Sequence, residues 1–214
     1  MRVVCSVFFV LCFFAYAYAE ANILSDSGFE GSGAGEWISD MWGGQFGIDY
    51  DATDFSRSGS QSLKQWATGV TDDANGWEKS EAKQIVSVQP GYIITGGAWL
   101  KYDNLSQVEA KMECKWLDSG FNELPGGIGT AVMSGSGDWT YQDLSVWDEA
   151  QRTAPEGASY VDFRLFILAP GTAETATGTV WWDDAEFSVI PEPGSMALLI
   201  GGITGLLVFR KRRR

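Results

Sequence analysis

Ten tryptophans, 28 carboxylates and no histidine set the chemistry open to this 214-residue chain. Without imidazole there is no Ser-His-Asp triad and no histidine-liganded zinc. Cys5 and Cys12 fall within the first nineteen residues, so Cys114 is the thiol left to the rest of the chain. With no histidine to activate it, Cys114 reads as a small buried hydrophobe. Carboxylate pairs that could hydrolyse a glycosidic bond arise by chance in so acidic a chain and decide nothing. No glycine-rich phosphate loop or dinucleotide fingerprint follows any apolar run. Recognition without catalysis remains: tryptophan faces can stack on the C–H faces of pyranose rings while carboxylate, ammonium and guanidinium groups fix the hydroxyls.

Such groups need strands to aim them. Short stretches of apolar and polar alternation, separated by Gly, Ser, Asp and Asn clusters, recur through residues 20–190, and no sustained 3.6-residue periodicity does. The clearest strand spans residues 160–168, with Val161, Phe163, Leu165 and Ile167 on one side and Asp162, Arg164 and Phe166 on the other. Residues 108–116 repeat the pattern, setting Val108, Ala110, Met112, Cys114 and Trp116 against Glu109, Lys111, Glu113 and Lys115. Further strands are expected over 22–25, 46–50, 61–66, 82–88, 92–101, 139–147 and 180–189, with a short one inside the glycine-rich stretch 126–137. About nine strands make an all-β jelly-roll sandwich. In the strand from Tyr92, Ile94, Ala98 and Leu100 face inward, which turns Trp99 and Lys101 onto the kind of outer face that carries Asp162 and Arg164. That face is the expected ligand groove, with Trp42, Trp66 and Trp77, in or beside loops, along its edge. Trp116 and Trp182 are assigned to the core or its rim.

Both ends of the chain read as addresses. Arg2, an apolar run over residues 3–15 and the small-x-small pattern Ala17-Tyr18-Ala19 form a secretory signal peptide, residues 1–19, cleaved after Ala19. At the other end an apolar, glycine-containing segment, residues 195–209, runs into Arg210, Lys211, Arg212, Arg213 and Arg214. This is a stop-transfer pattern that keeps the basic end in the cytoplasm and the domain outside it. Between the addresses, 28 acidic residues face nine basic ones. Such a field repels phosphate backbones, so no nucleic-acid partner is expected, and it favours divalent cations.

The string Pro191-Glu192-Pro193, an apolar segment and a basic cluster, in that order at residues 191–214, resembles the PEP-CTERM sorting signal of exported bacterial proteins. The resemblance implies an exosortase-type membrane protease as partner, a membrane anchor before processing, and delivery to the cell surface or extracellular matrix. Two prolines hold such a site extended, which suits a protease cleft. The domain, residues 20–190, resembles the galactose-binding-like jelly rolls that include many carbohydrate-binding modules. Asn22-Ile23-Leu24 with Gly28-Phe29-Glu30, Ser58-Gly59-Ser60-Gln61-Ser62-Leu63, residues 90–100, and Val180-Trp181-Trp182-Asp183-Asp184 carry that likeness. It implies a polysaccharide or glycan partner and a buried aromatic at Trp139. It further implies a structural Ca2+ held by Glu30, by Asp183 or Asp184, and by carbonyls near residues 57–60, with no other cofactor. The expectation is a non-catalytic glycan-binding surface protein. A purely structural envelope or biofilm component, and a small polysaccharide lyase or hydrolase, are the alternatives. Mass measurement of protein recovered from the producing cells should show a chain beginning at Glu20 and report any cut near Pro193; an intact cytosolic chain would overturn both addresses.

Overall fold

The computed structural model describes residues 21–31, 36–43, 45–69, 78–132, 134–170, 173 and 175–191. Ala17 and Ala19, Trp77, Glu192, Pro193 and the apolar tail lie outside the described residues, and among those described no helix is long and apolar enough to cross a membrane.

The described residues form β1 (Ile38–Trp42), β2 (Phe46–Ala52), β3 (Ser62–Ala67), β4 (Glu78–Ser87), β5 (Ile93–Ser106), β6 (Glu109–Leu117), β7 (Ile128–Val132), β8 (Gly135–Asp143), β9 (Tyr160–Ala169) and β10 (Thr177–Ile190). They assemble into two five-stranded antiparallel sheets, β1-β4-β9-β6-β7 and β2-β3-β10-β5-β8, packed face to face as an all-β jelly-roll sandwich. Alternation makes the core. From the first sheet Val161, Phe163, Leu165 and Ile167 of β9 and Met112, Cys114 and Trp116 of β6 meet Leu63, Leu100, Val180, Trp182 and Phe187 of the second. Burial pushes the Cys114 thiol well above its ordinary pKa, as suits an inert core residue.

Gln65 is a fully buried polar residue at the centre of that interface. Its Nε2 donates across the core to the carbonyls of Ser80 (3.0 Å) and Leu165 (3.1 Å), and its Oε1 accepts from Trp182 Nε1 (3.1 Å). One amide therefore ties β3 to β4, β9 and β10 with its hydrogen-bonding groups matched.

Alternation breaks at a bulge in β10. Val180 and Trp182 face the core, and so do Ala185 and Phe187, because the register shifts between Asp183 and Glu186. Asp184, at φ 44°, supplies the left-handed residue of this bulge, and the bulge reverses which parity points inward.

Three expectations need correction. Residues 22–25 are not a strand; they run beside β10 through Ile23 N–H to Phe187 O (2.9 Å), Asn22 Nδ2 to Ala185 O (2.8 Å) and Phe187 N–H to Asn22 Oδ1 (3.0 Å). The strand expected over 139–147 ends at Asp143, whose side chain caps a 3-10 turn, Leu144–Val146; the helix α1 (Glu149–Arg152), with a capping box at Asp148 and Gln151, follows. Trp139 is half-buried, not core, since β8 is an edge strand. Trp116 and Trp182 are buried as expected.

Gln65→Ala should cost about 3 kcal/mol, three buried hydrogen bonds at roughly 1 kcal/mol each. The melting temperature should fall by about 6–12 °C for a domain of this size, measurable by calorimetry.

Candidate functional site

The sandwich has two outward faces, and the sequence-predicted ligand residues divide between them. On the first sheet, register places Arg164 opposite Lys83 and Glu113, Asp162 opposite Ile85 and Lys115, and Trp42 opposite Lys79. Trp42, Asp162 and Arg164 therefore share one face. Trp99, Lys101 and Trp66 lie on the other sheet, in β5 and β3, and face the opposite way. The single groove expected from alternation is thus two separate surfaces: a strand pattern tells in from out, but not which sheet a strand joins.

The first face is a network of paired charges. Arg164 donates to Asp162 Oδ2 from Nε (2.9 Å) and Nη2 (2.7 Å), and to Glu123 Oε1 (2.8 Å). Lys79 bridges Asp40 (3.1 Å) and Glu81 (2.9 Å), Lys83 lies 3.3 Å from Glu81 Oε1, and Lys111 holds Glu113 (2.7 Å). Although these side chains point outward, Asp162 and Glu81 are 2% exposed and Phe166 is 4% exposed. The long basic side chains wall in a recessed floor. Burial works against the Arg164 cation, but Asp162, Glu81 and Glu123 more than offset it and raise its pKa. Burial raises the pKa of the Asp162 carboxyl, with Arg164 pulling against it. Asp162 Oδ1 is buried with no hydrogen-bond partner, and at the rim Trp42 is 57% exposed.

On the second face the tryptophans are already engaged. The Arg57 guanidinium sits 3.8 Å over the Trp99 ring, and Tyr141 packs against Trp99 at 5.5 Å. Trp66 lies across Gly47, where an added Cβ would come within 2.2 Å of the ring, so only glycine allows the contact. Phe55 and Trp181, which sequence reasoning missed, meet edge to face at 4.9 Å. Adjacent tryptophans in one strand must face opposite ways, so Trp181 was legible once Trp182 was placed inside; Phe55, in a polar loop, gave no signal.

The loop over residues 53–61 covers this face and is stitched down by the three acids predicted to bind calcium. Asp183 Oδ2 accepts from the amides of Arg57 (2.7 Å) and Ser58 (3.1 Å), and its Oδ1 accepts from the Asp184 amide (2.7 Å). Asp184 pairs with the Arg57 guanidinium and accepts from Ser58 Oγ (2.7 Å). Glu30 accepts from the Ser60 amide (2.7 Å), Ser60 Oγ (2.9 Å) and the Gln61 amide (3.0 Å). Burial raises the Asp183 pKa, and the Ser58, Arg57 and Asp184 amides pull it back. The three acids meet the predicted loop through its N–H, O–H and guanidinium donors. Among the described residues no group of three or more His, Cys, Asp or Glu side chains converges in a way that could hold a metal by side chains alone.

No protein-family model matches the sequence, and no curated protein matches it. Solved structures do match, carbohydrate-binding modules with a jelly-roll fold among them. The xylan-binding domain from CBM 22 aligns at a TM-score of 0.50 and 18% identity, over 80% of this chain and 97% of that one. The C-terminal family 22 carbohydrate-binding module of Clostridium thermocellum Xyn10B aligns at 0.49 and 17%, over 80% and 96%. The enzymatically active domain of Bacteriophage CBA120 tailspike protein 4 aligns at 0.53 and 17%, over 79% of this chain, which spans 21% of that one. At these identities the likeness is one of fold.

The Gln61 and Ser60 amides and the Ser60 hydroxyl hold Glu30 below its ordinary value of 4.5. A depressed carboxylate contributes its stability in full above about pH 4.5 and loses it as pH falls through the folded-state value. Melting curves from pH 7 to pH 3 should therefore show an acid limb that Glu30→Gln flattens; a chelator added at pH 7 tests the calcium expectation, since a bound structural ion lowers the melting temperature when removed and an unchanged one rules it out.

Proposed function

We propose that this domain is a non-catalytic glycan-binding module and that its ligand lies on the β1-β4-β9-β6-β7 face. The observation that carries the reading is Asp162 Oδ1, a buried acceptor on an outward-pointing side chain with no donor of its own. A buried oxygen in that state costs about 1–3 kcal/mol, which a sugar hydroxyl donating to it recovers. Arg164, Glu81 and Glu113 surround it with further donors and acceptors, and Trp42, one strand beyond β4, offers an exposed plate. Likeness of fold to a xylan-binding domain supports a polysaccharide as the ligand class. The tailspike likeness spans a fifth of that chain and does not transfer its activity to this one. Export through the signal peptide and sorting by the Pro-Glu-Pro tail, with an exosortase-type protease and the membrane as partners, complete the proposal, on the sequence motifs alone.

Affinity electrophoresis of the exported protein through gels containing xylan, galactan and other polysaccharides tests it. Wild type should be retarded in at least one gel. Trp42→Ala should weaken binding by about two- to tenfold, the effect of an aromatic contact worth roughly 0.5–1.5 kcal/mol. Asp162→Asn should weaken it further, because Arg164 loses its buried counter-charge. Trp139→Ala, on the other sheet, should leave binding alone. Free migration of the wild type in every gel would turn the assignment to a structural envelope component.

A further inference from the structure

We infer that the opposite face carries a second saccharide pocket, between the 53–61 loop and strands β5 and β8. A pocket of about 470 Å³ opens there, lined by Phe55, Lys101, Tyr102, Asp103, Asp138 and Trp181 among others. That volume accommodates one or two sugar rings. One wall is apolar: Phe55, 45% exposed, stands edge to face against Trp181. The facing wall alternates donors and acceptors. Lys101 Nζ lies 3.0 Å from Asp138 and 4.9 Å from the Phe55 ring, and Ser136 Oγ donates to Asp103 Oδ1 (2.8 Å). An aromatic plate opposite a polar wall is what a pyranose ring requires, apolar on its C–H face and hydroxylated round its edge.

The charges narrow the ligand class. Among the described residues the pocket's one cation, Lys101, is already paired, while Asp103 and Asp138 line it and Asp54 stands beside it, bonded to Trp181 Nε1 (3.0 Å) and Lys64 (2.5 Å). Sulfated or phosphorylated ligands are repelled, and a neutral glycoside is accepted. The wall is also built in advance. Ser62 Oγ donates to Phe55 O (2.6 Å), and the Asp183, Asp184 and Glu30 bonds pin the rest of the loop, so Phe55 loses little freedom on binding. Gly137 lies under the Tyr102 ring, where a Cβ would come within 2.5 Å, which keeps the β8 side of the pocket low.

If the charged face binds glycan as proposed above, two sites on opposite sheets make one domain a bridge between two chains. That bridging rests on the earlier reading; the pocket does not. Full-length protein in detergent, carrying ring-labelled phenylalanine and tryptophan, is titrated by NMR with the methyl glycosides of galactose, glucose, mannose and xylose. At least one glycoside should shift the Phe55 and Trp181 rings. Phe55→Ala should weaken the Trp181 response about threefold or more while the Trp42 response stays as in wild type. No shift at Trp181 with any of the four, or a Trp181 response untouched by Phe55→Ala, overturns the pocket. A response at Trp181 without one at Trp42 leaves this pocket standing and removes the site on the charged face. Turbidity with a long polysaccharide should vanish in Phe55→Ala and in Trp42→Ala alike; its persistence in either overturns the bridge.

Discussion

Everything on the two faces is positioned by the way the sheets are locked together, and the Gln65 amide does much of that locking. Apolar contact holds two sheets together but leaves them free to slide, because it has no direction. Gln65 adds direction. It sits in β3, donates to carbonyls of β4 and β9 in the opposite sheet, and accepts from Trp182 in β10 beside it. A buried amide with its groups matched is neutral in cost, yet any sliding would strand donors and acceptors at roughly 1–3 kcal/mol each. The central strands β9 and β10 are therefore fixed relative to one another, and their outward residues with them.

From β10 the order spreads to the surface through the bulge at Asp183 and Asp184. Without it, simple alternation from Trp182 would bring Asp184 inward and Phe187 outward. With it, Phe187 enters the core and both aspartates reach the loop over residues 53–61. That loop then lays Arg57 over Trp99 and Phe55 against Trp181. The consequence for recognition is a matter of magnitudes. A sugar seeking the face of Trp99 would have to displace a guanidinium contact worth about 0.5–1 kcal/mol, also held by Asp184, for a stacking gain of the same order. Trp99 is therefore spent on structure, while Phe55 keeps 45% of its surface exposed.

Much of the fold was legible because alternation reports burial directly: the strands around Phe163, Met112 and Trp182 stand where their patterns put them. The site was legible only in pieces. Asp162, Arg164 and Trp42 do share a face, but Trp99, Lys101 and Trp66 belong to the other, since sheet membership depends on pairings far apart in sequence. β1 escaped notice because it is a short edge strand whose apolar residues, Ile38, Met41 and Trp42, are all exposed and follow no alternation. The acids at 30, 183 and 184 were rightly drawn toward the Ser-Gly loop. Which of the loop's groups they meet was hidden, because sequence does not tell a carboxylate that accepts from backbone amides from one that does not.

Charge distribution gives the charged face its character. Five of the nine basic residues between the two ends, Lys79, Lys83, Lys111, Lys115 and Arg164, lie on it, in a domain where acids outnumber bases about threefold. Asp40, Glu81, Glu113, Glu123 and Asp162 answer them within ion-pair distance, so the face is nearly neutral within a strongly acidic surface. A ligand arriving there meets fixed donors and acceptors rather than a net field. An anion is repelled by the surrounding acid excess, and a cation must compete with the bases already paired to Asp40, Glu81, Glu113, Glu123 and Asp162. A neutral polyol loses nothing to either effect and exchanges water for hydrogen bonds that the buried floor holds in place.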